Sequence, residues 1–104
     1  MTDDERDIML LQRKILLSQL SIFYPTAIEG RTLFHGVLGA SPEYTKHRCF
    51  RDLSYLQEKG YVAQRRPGRR ADPREAEWQS TYWALTAAGL EIAQRVERDP
   101  ALEI

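Results

Sequence analysis

One cysteine, Cys49, is all the chain carries. No disulfide can form within it, and a cytoplasmic location is the expectation. Long apolar runs are missing too. Ile8 to Leu11 and Ile15 to Leu17 fall far short of the roughly 20 residues a membrane helix needs. The N-terminus is acidic (Asp3, Asp4, Glu5, Asp7), where a secretory signal would be basic. His35 and His47 stand alone, without a second cysteine or histidine at ligand spacing, so neither a metal site nor a cofactor is expected. Gly36 and Gly39 lack the lysine and the preceding strand of a phosphate loop. No serine, histidine and acid can be argued into a triad, and nothing in the sequence argues for an enzyme. There is no internal repeat and no low-complexity tract.

Net charge is also absent: 15 Lys and Arg balance 15 Asp and Glu over 104 residues. The balance hides a segregation. Residues 1–30 sum to −2, 31–40 to +1, 41–74 to +5 and 75–104 to −4. A basic middle between acidic ends is the electrostatic footprint of a polyanion-binding surface.

What the chain does contain reads as one α+β, mostly helical domain over 1–104, since its length suits a single modest core. A first helix is expected over 3–23, capped by Asp3 or Asp4 and stopped before Pro25. Its apolar residues spread widely: Leu10 and Leu17 lie nearly opposite Ile8 and Ile15. A second helix is expected over 26–38, despite Gly30 and Gly36. Gly39-Ala40-Ser41-Pro42 breaks the chain, with Ser41 and Pro42 suited to the cap and first position of a third helix over 42–59. Gly60 suits its end.

In that third helix Thr45, Cys49, Leu53 and Leu56 share one face. Tyr44, His47 and Arg51 fall opposite, with Arg48 at the flank. Tyr61–Arg66 and Trp78–Leu85 then read as two strands of a hairpin spanning 61–85. The long loop from Pro67 to Glu77 carries Arg69, Arg70 and Arg74 at its basic tip. Trp78, Tyr82 and Trp83 read as packing residues, and Cys49 as a small core residue. A fourth helix is expected over 87–98, capped by Thr86, with Gly89, Ile92, Ala93 and Val96 in its apolar arc.

The stretches FRDLSYLQEKGYVAQRR and STYWALTAAGLEIA resemble the second half of winged helix-turn-helix transcriptional regulators of the MarR and PadR kind. The residues that carry the likeness are Leu53, Leu56 and Gly60, then Val62, then Leu85, Thr86 and Gly89. The likeness covers about residues 33–97. Leu38-Gly39 departs from it, sitting roughly one helical turn farther from the Leu53–Leu56 pair than those families place it. The resemblance implies a winged helix-turn-helix fold with a two-stranded wing, double-stranded DNA as partner, and a recognition helix over 42–59.

An α-helix fits the major groove, where base pairs show distinct donor and acceptor patterns. Arg48 and Arg51 are therefore candidates to read guanine or hold phosphate. Tyr44, Thr45 and His47 are candidates for base edges or phosphate. Lys46 belongs to the same basic face, and Ser41 would set the helix N-terminus against the backbone. Arg65, Arg66, Arg69, Arg70 and Arg74 would reach flanking phosphates or the minor groove. The apolar breadth of the first helix suggests a homodimer pairing through helices one and four. Two alternatives stand beside this reading. One is a winged-helix protein-interaction module without a DNA role. The other adds a small effector in an apolar cleft between helices one and four, for which the sequence offers no polar anchor.

Overall fold

A computed structural model of the chain describes residues 2–65 and 77–104. Among them are four helices and a small antiparallel sheet. The order is α1 (Asp3–Phe23), β1 (Ile28–Glu29), α2 (Gly30–Ala40), α3 (Lys46–Glu58), β2 (Val62–Gln64), a 3₁₀ turn (Trp78–Ser80), β3 (Tyr82–Leu85) and α4 (Ala87–Arg98). The sheet order is β1-β3-β2. Trp83 is the common partner, facing Ile28 on one side and Gln64 on the other.

The expected order of helices and hairpin holds with local corrections; α2 runs on to Ala40, past the break expected at Gly39, and β2 spans only Val62–Gln64. Thr2, not Asp3 or Asp4, caps α1: its hydroxyl accepts from the Glu5 amide at 3.2 Å. The expected second helix begins later. Ile28 and Glu29 are extended and pair with β3, and the Gly30 amide donates to the Thr81 carbonyl at 2.9 Å. A two-residue strand shows no period in sequence, so partner-made hydrogen bonds decide it.

The third helix starts at Lys46 rather than Pro42, because Thr45 is its cap: the Thr45 hydroxyl accepts from the Arg48 amide at 3.1 Å. Ser41 cannot do that work. Its hydroxyl accepts from Gln12 Nε2 and donates to Glu43 Oε1, each at 3.0 Å. The second hairpin strand is shortened likewise. Trp78–Ser80 turns, with the Thr81 hydroxyl donating to the Glu77 carbonyl at 3.0 Å, and only Tyr82–Leu85 runs as strand.

The fourth helix runs over its expected span. The Thr86 hydroxyl accepts from the Gly89 amide at 3.0 Å and donates to the Gly60 carbonyl at 2.6 Å. Gly60 has φ +80°, a conformation that few side chains tolerate.

The core gathers Leu16, Leu17 and Leu20 of α1, Leu33 and Val37 of α2, Leu53 and Leu56 of α3, and both tryptophans. Leu17 is fully buried, so it is not part of the surplus apolar surface expected of α1. That surplus falls instead on Leu11, Ile22 and Phe23, which are 55%, 73% and 55% exposed. Tyr82, expected to pack, is 47% exposed. No helix among the described residues is long and apolar enough to cross a membrane.

Candidate nucleic-acid interface

The outer face of α3 is cationic. Lys46, His47 and Arg51 are exposed, and Thr45 stands exposed at the helix start. Arg48 is half-buried, its Nη1 donating to the Glu43 carbonyl at 3.4 Å. Arg51 reaches sideways, with Nη2 4.0 Å from Met9 Sδ of α1. Among the described residues neither Arg48 nor Arg51 is in an ion pair. Both guanidinium groups therefore keep donors for an anion. At the end of β2, Arg65 is exposed, its amide bonded to the Tyr82 carbonyl at 2.8 Å. Arg66, Arg69, Arg70 and Arg74 lie outside the described residues.

Two expected contact residues are elsewhere. Ser41 and Tyr44 are each only 4% exposed. The start of α3 at Lys46 leaves Tyr44 in the preceding turn, where the helical wheel that put it outside no longer applies. Its ring stacks on Phe34 with centroids 5.8 Å apart, and its hydroxyl donates to Asp52 Oδ2 at 2.9 Å. Tyr44 therefore supports α3 from beneath.

That underside holds what sequence reasoning missed. Asp52 is 1% exposed and pairs with Arg13 of α1, Nε to Oδ1, at 3.1 Å. The same guanidinium donates through Nη1 to the Ile104 carbonyl at 3.3 Å and lies 3.9 Å from the Tyr55 ring centroid. One side chain of α1 thus holds α3 and the C-terminal residues together. Burial pushes the Asp52 carboxyl upward, while the Tyr44 hydroxyl and the Arg13 guanidinium pull it back. Burial also raises the Tyr44 phenol, and raises the Cys49 thiol to about 12. A signal existed: Arg13, Leu16, Leu17 and Leu20 share one face of α1 at helical spacing, and a charge on a buried face requires a partner. The spacing could not name Asp52, 39 residues away.

Besides a hollow of about 460 Å³ between α1 and Val96, Pro100, Ala101 and Glu103, two others flank α1. One, of about 290 Å³, lies against α4 and is lined by Lys14, Ile15, Leu17, Ser18, Ala93 and Val96, among others. The second, of about 180 Å³, lies against α3 and is polar. Among the described residues no group of three His, Cys, Asp or Glu side chains is placed to hold a metal ion. Comparison with family models, curated proteins and solved structures finds no match to this chain.

Proposed function

We propose that this chain is a winged helix-turn-helix transcriptional regulator that binds double-stranded DNA, with α3 entering the major groove. The observation that carries the reading is the division of α3. Cys49, Asp52, Leu53 and Leu56 are buried and held, while Lys46, His47 and Arg51 project from the other side with Arg48 at its edge. A helix that reads bases needs this anchored back and cationic front. The element order supports the fold reading. A helix pair, α2 and α3, is followed by antiparallel β2 and β3, whose free end carries Arg65 toward the arginine-rich 66–74 segment. In this reading that segment is a wing on flanking phosphates.

The regulator acts as a homodimer paired through α1 and α4, with Leu11, Ile22 and Phe23 supplying apolar surface. The same three residues favour a second reading, a winged-helix module that docks another protein and leaves DNA alone.

Selection of bound fragments from a random double-stranded DNA pool, using the purified chain, separates the two. Enrichment of one motif is expected, along with an affinity that falls steeply with salt. Arg51→Ala should relax preference at one base position, a bidentate arginine–guanine contact being worth about 1–3 kcal/mol of discrimination. Replacing Arg69 and Arg70 by alanine should instead weaken all DNA alike, lowering the salt slope by about 0.9 per lost phosphate contact. A chain that enriches no motif, and whose residual binding is indifferent to both changes, is the interaction module. Sedimentation at micromolar concentration should give twice the 12.1 kDa chain mass; a strict monomer removes the pairing.

A further inference from the structure

The polar hollow between α1 and α3 is lined by six residues: Glu5, Met9 and Gln12 from one helix, Arg48, Arg51 and Asp52 from the other. Glu5, Met9 and Gln12 recur at the spacing that puts them in one row along α1. Gln12 is 1% exposed; its amide nitrogen donates to Ser41, and its Oε1 has no hydrogen-bond partner. A buried acceptor left without a donor is costly, and such an orphan calls for an explanation. Arg48 and Arg51 supply the opposite chemistry, two guanidinium groups outside any ion pair among the described residues. Arg51 leans across to Met9, which keeps its charge over the hollow. The Asp52 carboxylate is already held by Arg13 and Tyr44, so it adds negative potential without needing a ligand.

We infer that this hollow binds a small α-amino acid as its zwitterion. The carboxylate lies between Arg48 and Arg51, where charge-assisted bonds are strongest. The ammonium donates to Gln12 Oε1 and faces the Glu5 carboxylate. A volume of about 180 Å³ suits few heavy atoms, since sites for drug-sized molecules start at about 300 Å³. Half-buried Met9 gives the side chain a soft apolar wall. A simple anion would leave Gln12 and Glu5 unanswered, and a simple amine would leave two arginines unanswered. The bound amino acid also engages the two arginines proposed above for DNA, so it competes with DNA. That regulatory half rests on the proposed function; the binding half does not.

Calorimetric titration of the full chain with L-serine and L-alanine tests the binding half, with acetate and methylammonium as the two half-ligands. Saturable binding of an amino acid is expected, with each half-ligand at least about tenfold weaker, as the loss of one charged contact implies. Arg51→Ala removes an exposed side chain, so the fold should stand while binding falls about tenfold or more. Gln12→Leu should do the same, and if it weakens the fold the Arg51 variant still decides. No saturable binding at millimolar concentration, or acetate binding as well as the amino acids, overturns the site. Saturating L-serine should also release bound DNA. If serine binds and DNA affinity is untouched, the regulatory half is wrong. If serine binds and the chain takes no DNA at all, the DNA reading fails and the site stands.

Discussion

Helices α3 and α4 are of similar length, and each is capped by a threonine whose hydroxyl accepts an amide three residues on. They are seated by different means. The fourth helix rests on close approach. Gly89 is buried, and a Cβ placed on it would meet the Tyr61 carbonyl oxygen at 1.9 Å. Ile92 and Ala93 complete an apolar contact. The third helix shares the leucine core through Leu53 and Leu56, but a buried ion pair from α1 and a phenol from its own lead-in turn also hold it. Apolar packing fills space but carries little directionality of its own. A hydrogen-bonded charge pair fixes an orientation, which is what a helix presented to a structured partner requires.

The contrast can be broken most severely at Asp52. Asp52→Ala leaves Arg13 buried and unpaired, and should cost about 3–5 kcal/mol in urea unfolding. The pair Arg13→Met with Asp52→Leu, which replaces both charges by apolar groups, should recover most of that loss. If the double variant is no better than the single one, the ion pair is not what holds α3.

Gly89→Ala tests the other seat. Its methyl group meets backbone rather than a yielding side chain, so α4 or the turn at Tyr61 must move, at about 2–3 kcal/mol. The Tyr61 carbonyl also accepts the Thr86 amide at 3.0 Å, so the displacement strains the cap of the same helix. The α4 seat predicts that this loss is additive with Asp52→Ala, because the two sites share no partner. Strong non-additivity in a double-variant cycle would mean that α3 and α4 are seated together.

Tyr44→Phe is a milder perturbation. It keeps the ring on Phe34 and removes one donor from a charged acceptor, at about 1.5–2 kcal/mol. A variant as stable as wild type would show that Arg13 alone satisfies Asp52.

The same contrast explains what the sequence could say. The span of α4 was legible because Thr86, the Ile92–Ala93 arc and the glycine pattern all act within a dozen residues. The general order of elements was legible for the same reason. The start of α3 was not. Ser41 and Pro42 make a good local beginning, and only the competing bonds from Gln12 and Glu43 disqualify Ser41. Strand β1 owes its form to β3, more than fifty residues away, and Arg13 owes its burial to Asp52. Of the expected contact residues on α3, those inside the true helix came out on the surface or at its edge. Tyr44 precedes the first turn of α3, so helical spacing does not describe where its side chain goes. Long-range polar pairing leaves no periodic trace in the sequence.

The effect confined to alkaline pH concerns the proton on Cys49. The thiol is fully buried, beside the Tyr44 hydroxyl, and burial raises it from the ordinary 9.0 to about 12. The folded chain therefore holds this proton more tightly than the unfolded chain does. That preference is at full strength below about pH 9, the ordinary thiol value, and is lost as pH rises toward 12. The raised Tyr44 phenol acts in the same direction at alkaline pH. Stability should therefore decline between about pH 9 and 11, and Cys49→Ala, though less stable at neutral pH, should decline less steeply over that window. Alkylation gives the matching readout. At pH 8 the folded thiol is both buried and held protonated, so iodoacetamide should modify Cys49 only at the rate at which the chain opens. Labelling should then accelerate with urea in step with unfolding. Rapid labelling of the native chain at pH 8 would place Cys49 on an accessible surface, and with it would fall the assignment of the buried and outward faces of α3.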